Sequence, residues 1–157
     1  MPGLNETLAV VIATRYFSNR SQVNELAAGL TEAQFWQKPF PYGNSFGHLV
    51  LHLTGNLNYY IGAQIAETGY VRDRPREFDA PSLPSKEEAL KHFDEAVAMV
   101  HKTIKVQTAN DWSAECTGAG SNATTRLDMI MQSAAHMQHH IGQMIYVVHE
   151  WKRRESE

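Results

Sequence analysis

The chain has 157 residues, of which 43% are hydrophobic and 20% charged, with a formal net charge of −3 and a pI near 6.2. That length supports one domain over residues 1–157 with a core of its own, and the composition excludes a disordered or fibrous chain. The mildly negative balance offers no general field for a polyanion, so nucleic acid is not expected as a partner.

From Asn5 to about Ala28 the apolar residues Leu8, Val11, Ile12, Tyr16, Val23 and Leu26 recur at steps of three and four, and Gly29 follows as a stop. This spacing predicts the first helix. Thr31 then offers an N-cap with Gln34 at the third helical position, and Pro39, Pro41 and Gly43 limit the piece to one or two turns. Asn44 or Ser45 caps a second long helix whose stripe runs through Phe46, Leu49, Val50, Leu53, Leu57, Tyr60, Ile61 and Ile65 as far as Gly69.

Between Tyr70 and Pro84 the charges and three prolines rule out a continuous helix. Ser85 and Glu88 form a capping box that opens the third helix, marked by Leu90, Phe93, Val97, Val100 and Ile104. A loop is expected from about Ala109 to Thr124, rich in small polar residues, and it holds the lone Cys116, which can make no internal disulfide. The last helix, about Thr125 to Arg153, carries Leu127, Ile130, Met131, Ala134, Met137, Ile141, Met144, Ile145 and Val148, with Lys152, Arg153 and Arg154 at its negative end. Strand alternation and internal repeats are missing from the pattern, so four long amphipathic segments imply an all-α, antiparallel-type four-helix bundle. Apolar runs are broken by Arg15, His48, His52 or Gln138 well before the roughly 20 residues needed to cross a bilayer. The N-terminal segment lacks the pattern of a secretory signal. The expectation is a cytoplasmic protein with no membrane partner.

Within that bundle the histidines carry the chemistry. His136 and His140 stand four apart, so on a helix they lie one above the other with Cβ atoms roughly 5–6 Å apart and can converge on one ion. A third nitrogen must come from another helix, from His52 or His48. A bare pair of this kind is more often a surface accident, but Met137, Ile141 and Met144 place this one beside the buried stripe, where uncoordinated imidazoles would need partners. His52, between Leu51 and Leu53, is favoured over His48, which is expected behind a ligand or at the mouth of a pocket. Three imidazoles with an open position are the arrangement of a catalytic rather than a structural metal site. His139 is rotated about 100° from His140 and is left out, and His92, His101 and His149 read as surface or capping residues. Gly142 suggests a close helix contact or room beside the ion, Gln143 could orient a ligand or water, and Asn56 is a polar group one turn beyond His52. The lack of Glu at position 137 excludes the metallopeptidase pattern, and the apolar cores lack the carboxylates of a di-iron bundle.

Two stretches carry a family resemblance: Ser45 to His52, similar to a Ser-Ile-Gly start with His seven residues after the Ser, and His136 to Gln143, similar to a His-x-x-His-His-x-Gly-Gln signature. The chain resembles the DinB-like family of metal-binding four-helix bundles, the group that includes bacillithiol and mycothiol transferases. The resemblance implies a metal triad of His52, His136 and His140, one divalent ion such as zinc or nickel, a homodimer, and a small-molecule substrate conjugated or isomerised with a low-molecular-weight thiol. The expected activity is thiol S-transfer or hydrolysis, with Arg72, Arg74, Arg76 or Arg126 available to hold an acidic thiol, although a solvated charged loop explains them as well. The alternatives are a metal-carrying or stress-induced protein with the same triad and no turnover, and a helical interaction module whose histidines fill polar core positions.

Overall fold

The structure, a computed structural model, describes residues 3–157. Four long helices form it: α1 (Leu4–Ala28), α3 (Phe46–Leu57), α5 (Lys86–Lys105) and α7 (Arg126–Glu155), with the short α2 (Glu32–Trp36), α4 (Arg76–Asp79) and α6 (Ala109–Ser113) in the connections. Helices α1 and α3 each pack against both α5 and α7, so the first two long helices lie diagonally across the bundle. Among the described residues there is no strand, only a single antiparallel bridge between Glu115 and Thr125 that closes the loop leading into α7. No described helix is long and apolar enough to cross a membrane.

Local chemistry sets the helix starts. The hydroxyls of Thr31, Ser45, Ser85 and Thr125 accept the first free backbone N–H groups of α2, α3, α5 and α7. Gln34 and Glu88 return the bond to their N-cap backbones, as the capping-box spacing predicts. The expected loop at 109–124 opens instead with α6, because Thr108 and Asp111 form a further capping box and Trp112 anchors the turn by donating to Asn5 Oδ1 at 2.6 Å. On α1 the buried face is Ile12, Ala13, Tyr16, Asn19, Val23 and Ala27, while Val11, expected inside, is 61% exposed. The first helix presents its small residues Ala13 and Ala27 to the core instead, and Tyr16 fills the centre with its hydroxyl donating to the Ile130 carbonyl at 2.7 Å.

The second long helix does not run as a uniform α-helix to Gly69. Beyond Leu57 it widens into a π-helical stretch, Asn58–Ala63, in which the Gln64 N–H reaches the Tyr59 carbonyl five residues back. Ile61 and Ile65 stay in the core, whereas Tyr59 and Tyr60 swing to a side cavity. At its other end α3 begins under α2. A Cβ on Gly47 would lie 2.8 Å from Phe35 Cδ1 and nearer still to the Trp36 ring, so only glycine lets this aromatic pair cover the helix start.

Candidate metal centre

Three of the eight histidines meet between α3 and α7. His52 Nε2 lies 3.0 Å from His136 Nε2, which lies 3.2 Å from His140 Nε2, and all three rings offer a nitrogen within 4.8 Å of the others. With metal–nitrogen bonds of about 2.0–2.1 Å, a tetrahedral site has ligand nitrogens roughly 3.3–3.4 Å apart, so this trio stands close to the span that one ion requires. The register of α7 sets the His136–His140 half, and α3 supplies the rest from across the helix interface.

The outer ring nitrogens show which electrons point inward. His52 Nδ1 is 2.8 Å from Glu77 Oε2 and must donate its proton to that carboxylate; His140 Nδ1 is 2.7 Å from Gln143 Oε1 and donates to it. The Nε2 atoms of His52 and His140 therefore carry lone pairs, and both face the nitrogen of His136. Burial first, then the charges of His140 and His52, push the His136 pKa down to about 4. Burial also lowers His140. Converging imidazole lone pairs fit a cation between them, and the three-His group could hold a metal ion.

Glu77 is the anchor of this arrangement, and it comes from α4 in the segment after the π-helical turn. Its carboxylate is buried, takes two hydrogen bonds from Arg72 at 2.7 and 2.9 Å, and fits because Gly55 has no side chain. Burial alone would raise its pKa, but the hydrogen bonds from His52 and Arg72 outweigh that and hold it below the usual carboxylate range. Phe78 covers the His52 ring with centroids 5.3 Å apart.

On the other side of the trio a cavity of about 510 Å³ opens, with His52 and His136 in its wall. Tyr59, Tyr60, Arg74 and Asn122 form its sides and Asn56 and Ser133 lie in its inner wall. The Tyr60 hydroxyl donates to the Ala119 carbonyl at 3.2 Å, and Gly118 and Gly120 allow the loop before α7 to close over the ring. The family model of the DinB superfamily matches residues 17–144, which include both histidine stretches.

The chain belongs to the DinB superfamily. Its fold is also that of a crystal structure described as the conserved protein of locus from Enterococcus faecalis, with a TM-score of 0.72 and 17% identity, covering 89% of this chain and 94% of that one. No protein with a curated description matches it. As in the expected DinB-like triad, His52, His136 and His140 come together and His139 does not, its ring lying beside His140 but outside the group.

Other expectations fare differently in this DinB bundle. His48 neither backs a ligand nor lines the cavity: its Nδ1 lies 2.5 Å from Ser45 Oγ and its ring meets the edge of Trp36. A Cβ on Gly142 would meet nothing within 4 Å, so no close helix contact explains that glycine. Gln143 orients His140 itself. Arg72 is tied to Glu77, Arg76 to Asp73 at 3.2 Å and Arg126 to Asp111 at 3.6 Å, leaving Arg74 as the arginine that lines the cavity without an ion pair among the described residues. The His101 ring packs at a tilt against Phe17 with centroids 4.6 Å apart, and His92 and His149 are exposed. Sequence reasoning missed Glu77 and Gly55, since a carboxylate in a charged loop and a glycine in an apolar helix carry no local signal of meeting.

Proposed function

We propose that His52, His136 and His140 hold one divalent cation, zinc or nickel, and that the protein is a metal-dependent enzyme acting on a small molecule as a thiol S-transferase or hydrolase. The observation that carries this reading is the convergence of imidazole Nε2 atoms, with outer nitrogens tied to Glu77 and Gln143, beside an accessible cavity. Imidazole donors suit both metals, and affinity order alone does not choose between them. When bound, such an ion lowers the pKa of a coordinated thiol or water and supplies a nucleophile at neutral pH.

The chain's own residues set the conditions for that chemistry. Glu77 and Gln143 keep His52 and His140 in the tautomer whose free lone pair faces inward. Phe78 and the Arg72–Glu77 pair shield the rear of the site from water. Tyr59, Tyr60 and the 118–122 loop wall the reactant side.

Metal content of untagged protein and turnover with a panel of low-molecular-weight thiols and electrophiles test the proposal together. Stoichiometric metal with turnover that disappears in a folded His136→Ala variant is the expected result. Metal without turnover would identify a carrier instead, and equal metal content in wild type, His52→Ala and His140→Ala would rule out the site.

A further inference from the structure

Asn56 Oδ1 is buried without a hydrogen-bond partner among the described residues, on a residue only 6% exposed that lines the cavity. An unpaired amide oxygen inside a protein destabilises it, and leucine at the same place would avoid the loss. Asn56 stands four residues after His52, on the same face of α3 and one turn toward the cavity. Ser133, also buried, stands three residues before His136 on the facing helix. The torsion that turns a carboxamide is soft, so the oxygen can swing to a group arriving in the cavity.

The charge of the walls narrows what arrives. Among the described residues no carboxylate lines the cavity, and the charged side chains in its wall are Arg72 and Arg74. Arg72 is matched by Glu77 behind it, and Arg74 is not matched by any described residue. With a divalent ion held by neutral imidazoles, the cavity is positive throughout and favours an anion.

We propose that Asn56 is the specificity-determining residue of this cavity, selecting a small metal-coordinating anion that carries an N–H or O–H donor beside its coordinating atom. The proposal rests on the metal reading above. The Asn56 carboxamide accepts that donor, while the coordinating atom lies one helical turn away at the trio.

Two probes isolate the donor: acetohydroxamate, and N-methylacetohydroxamate, which coordinates through the same two oxygens but lacks the N–H. Cobalt-loaded wild type, Asn56→Leu and Asn56→Ala are titrated with each, following the visible absorption of the metal, with helicity checked by circular dichroism. The expected result is that the ratio of the two dissociation constants falls by about tenfold from wild type to the variants, the size of one hydrogen bond, with cobalt affinity unchanged. A preference due only to the bulk of the methyl group survives in both variants, and an unchanged ratio overturns the proposal. Should neither variant fold, the side-chain amide resonance of Asn56 in ¹⁵N-labelled, zinc-loaded wild type decides: a shift with acetohydroxamate but not with its N-methyl analogue supports the role, and no shift overturns it. The cobalt spectrum before any probe is added reports on the metal reading separately. Protein that takes up no cobalt overturns both.

Discussion

Glu77 Oε2 lies 2.8 Å from Nδ1 of His52, at the opposite end of that ring from the Nε2 that approaches His136. This contact decides which nitrogen keeps its proton, and it joins the 66–84 segment to the trio. Replacing Glu77 with Gln keeps the size but removes the charge that also holds Arg72. The expected loss is about 10- to 100-fold in zinc affinity, read by competition with a chromophoric chelator. Unchanged affinity would mean that Glu77 only fills space.

Gly55→Ala should act through the same contact. The added Cβ would lie 2.9 Å from Glu77 Cδ, and the carboxylate, at the end of a flexible side chain, yields before the backbone does. Zinc affinity is expected to fall as far as in Glu77→Gln, and the double variant to fall little further, because both changes break one interaction. Additive losses would show that Gly55 serves something else.

Zinc should stabilise the bundle. At about 100 times its dissociation constant an ion bound only by the folded state contributes about 2.7 kcal/mol, which for a chain of this size raises Tm by about 5–10 °C. Chelation reverses the gain, and His140→Ala or His52→Ala should show none. Calorimetry of the three proteins with and without zinc makes the comparison.

Away from the site, Asp94 takes hydrogen bonds from Arg20 at 2.7 and 2.9 Å and from Asn24 at 2.9 Å, linking α1 to α5. Burial alone would raise its pKa, but these donors outweigh it and hold the carboxyl below the usual aspartate range. An acid whose pKa is lowered by folding stabilises the protein above its unfolded value and loses that contribution as the pH falls through the folded one. Arg20 and Asp94 are 39% and 30% exposed, so solvent limits the pair to about 1 kcal/mol. Asp94→Asn should lose that amount at pH 7, and the gap from wild type should close as denaturant melts are repeated toward roughly pH 3 and below. A gap independent of pH would assign the effect to packing.

Much of this was legible along the chain because it is local. Ser85 with Glu88 and Thr31 with Gln34 announce their helix starts within three residues, and the register of His136 and His140 follows from the winding of one helix. His52 was legible from its apolar neighbours and from the family pattern. Thr108 with Asp111 carried the same capping signal, outweighed by the small polar residues that follow. The rest depends on tertiary encounters. Glu77 is 25 residues from His52, and only the path of the intervening loop brings them together. His48 turns away because Ser45 and Trp36 offer it nearer partners. Val11 continues the apolar stripe of α1 but falls outside the angle that α5 and α7 cover.

The broadened turn at Asn58–Ala63 accommodates more chain per revolution than its surroundings. Excising a single amino acid there would let ordinary winding resume, leaving His52 upstream and Ile65 downstream on their present faces and re-aiming only the side chains within the turn itself. Tyr60 would lose its place beneath the glycines of the 118–122 loop. The shape of the reactant chamber is thus adjustable by length as well as by side-chain identity, through an insertion or deletion of one codon that spares all three imidazoles.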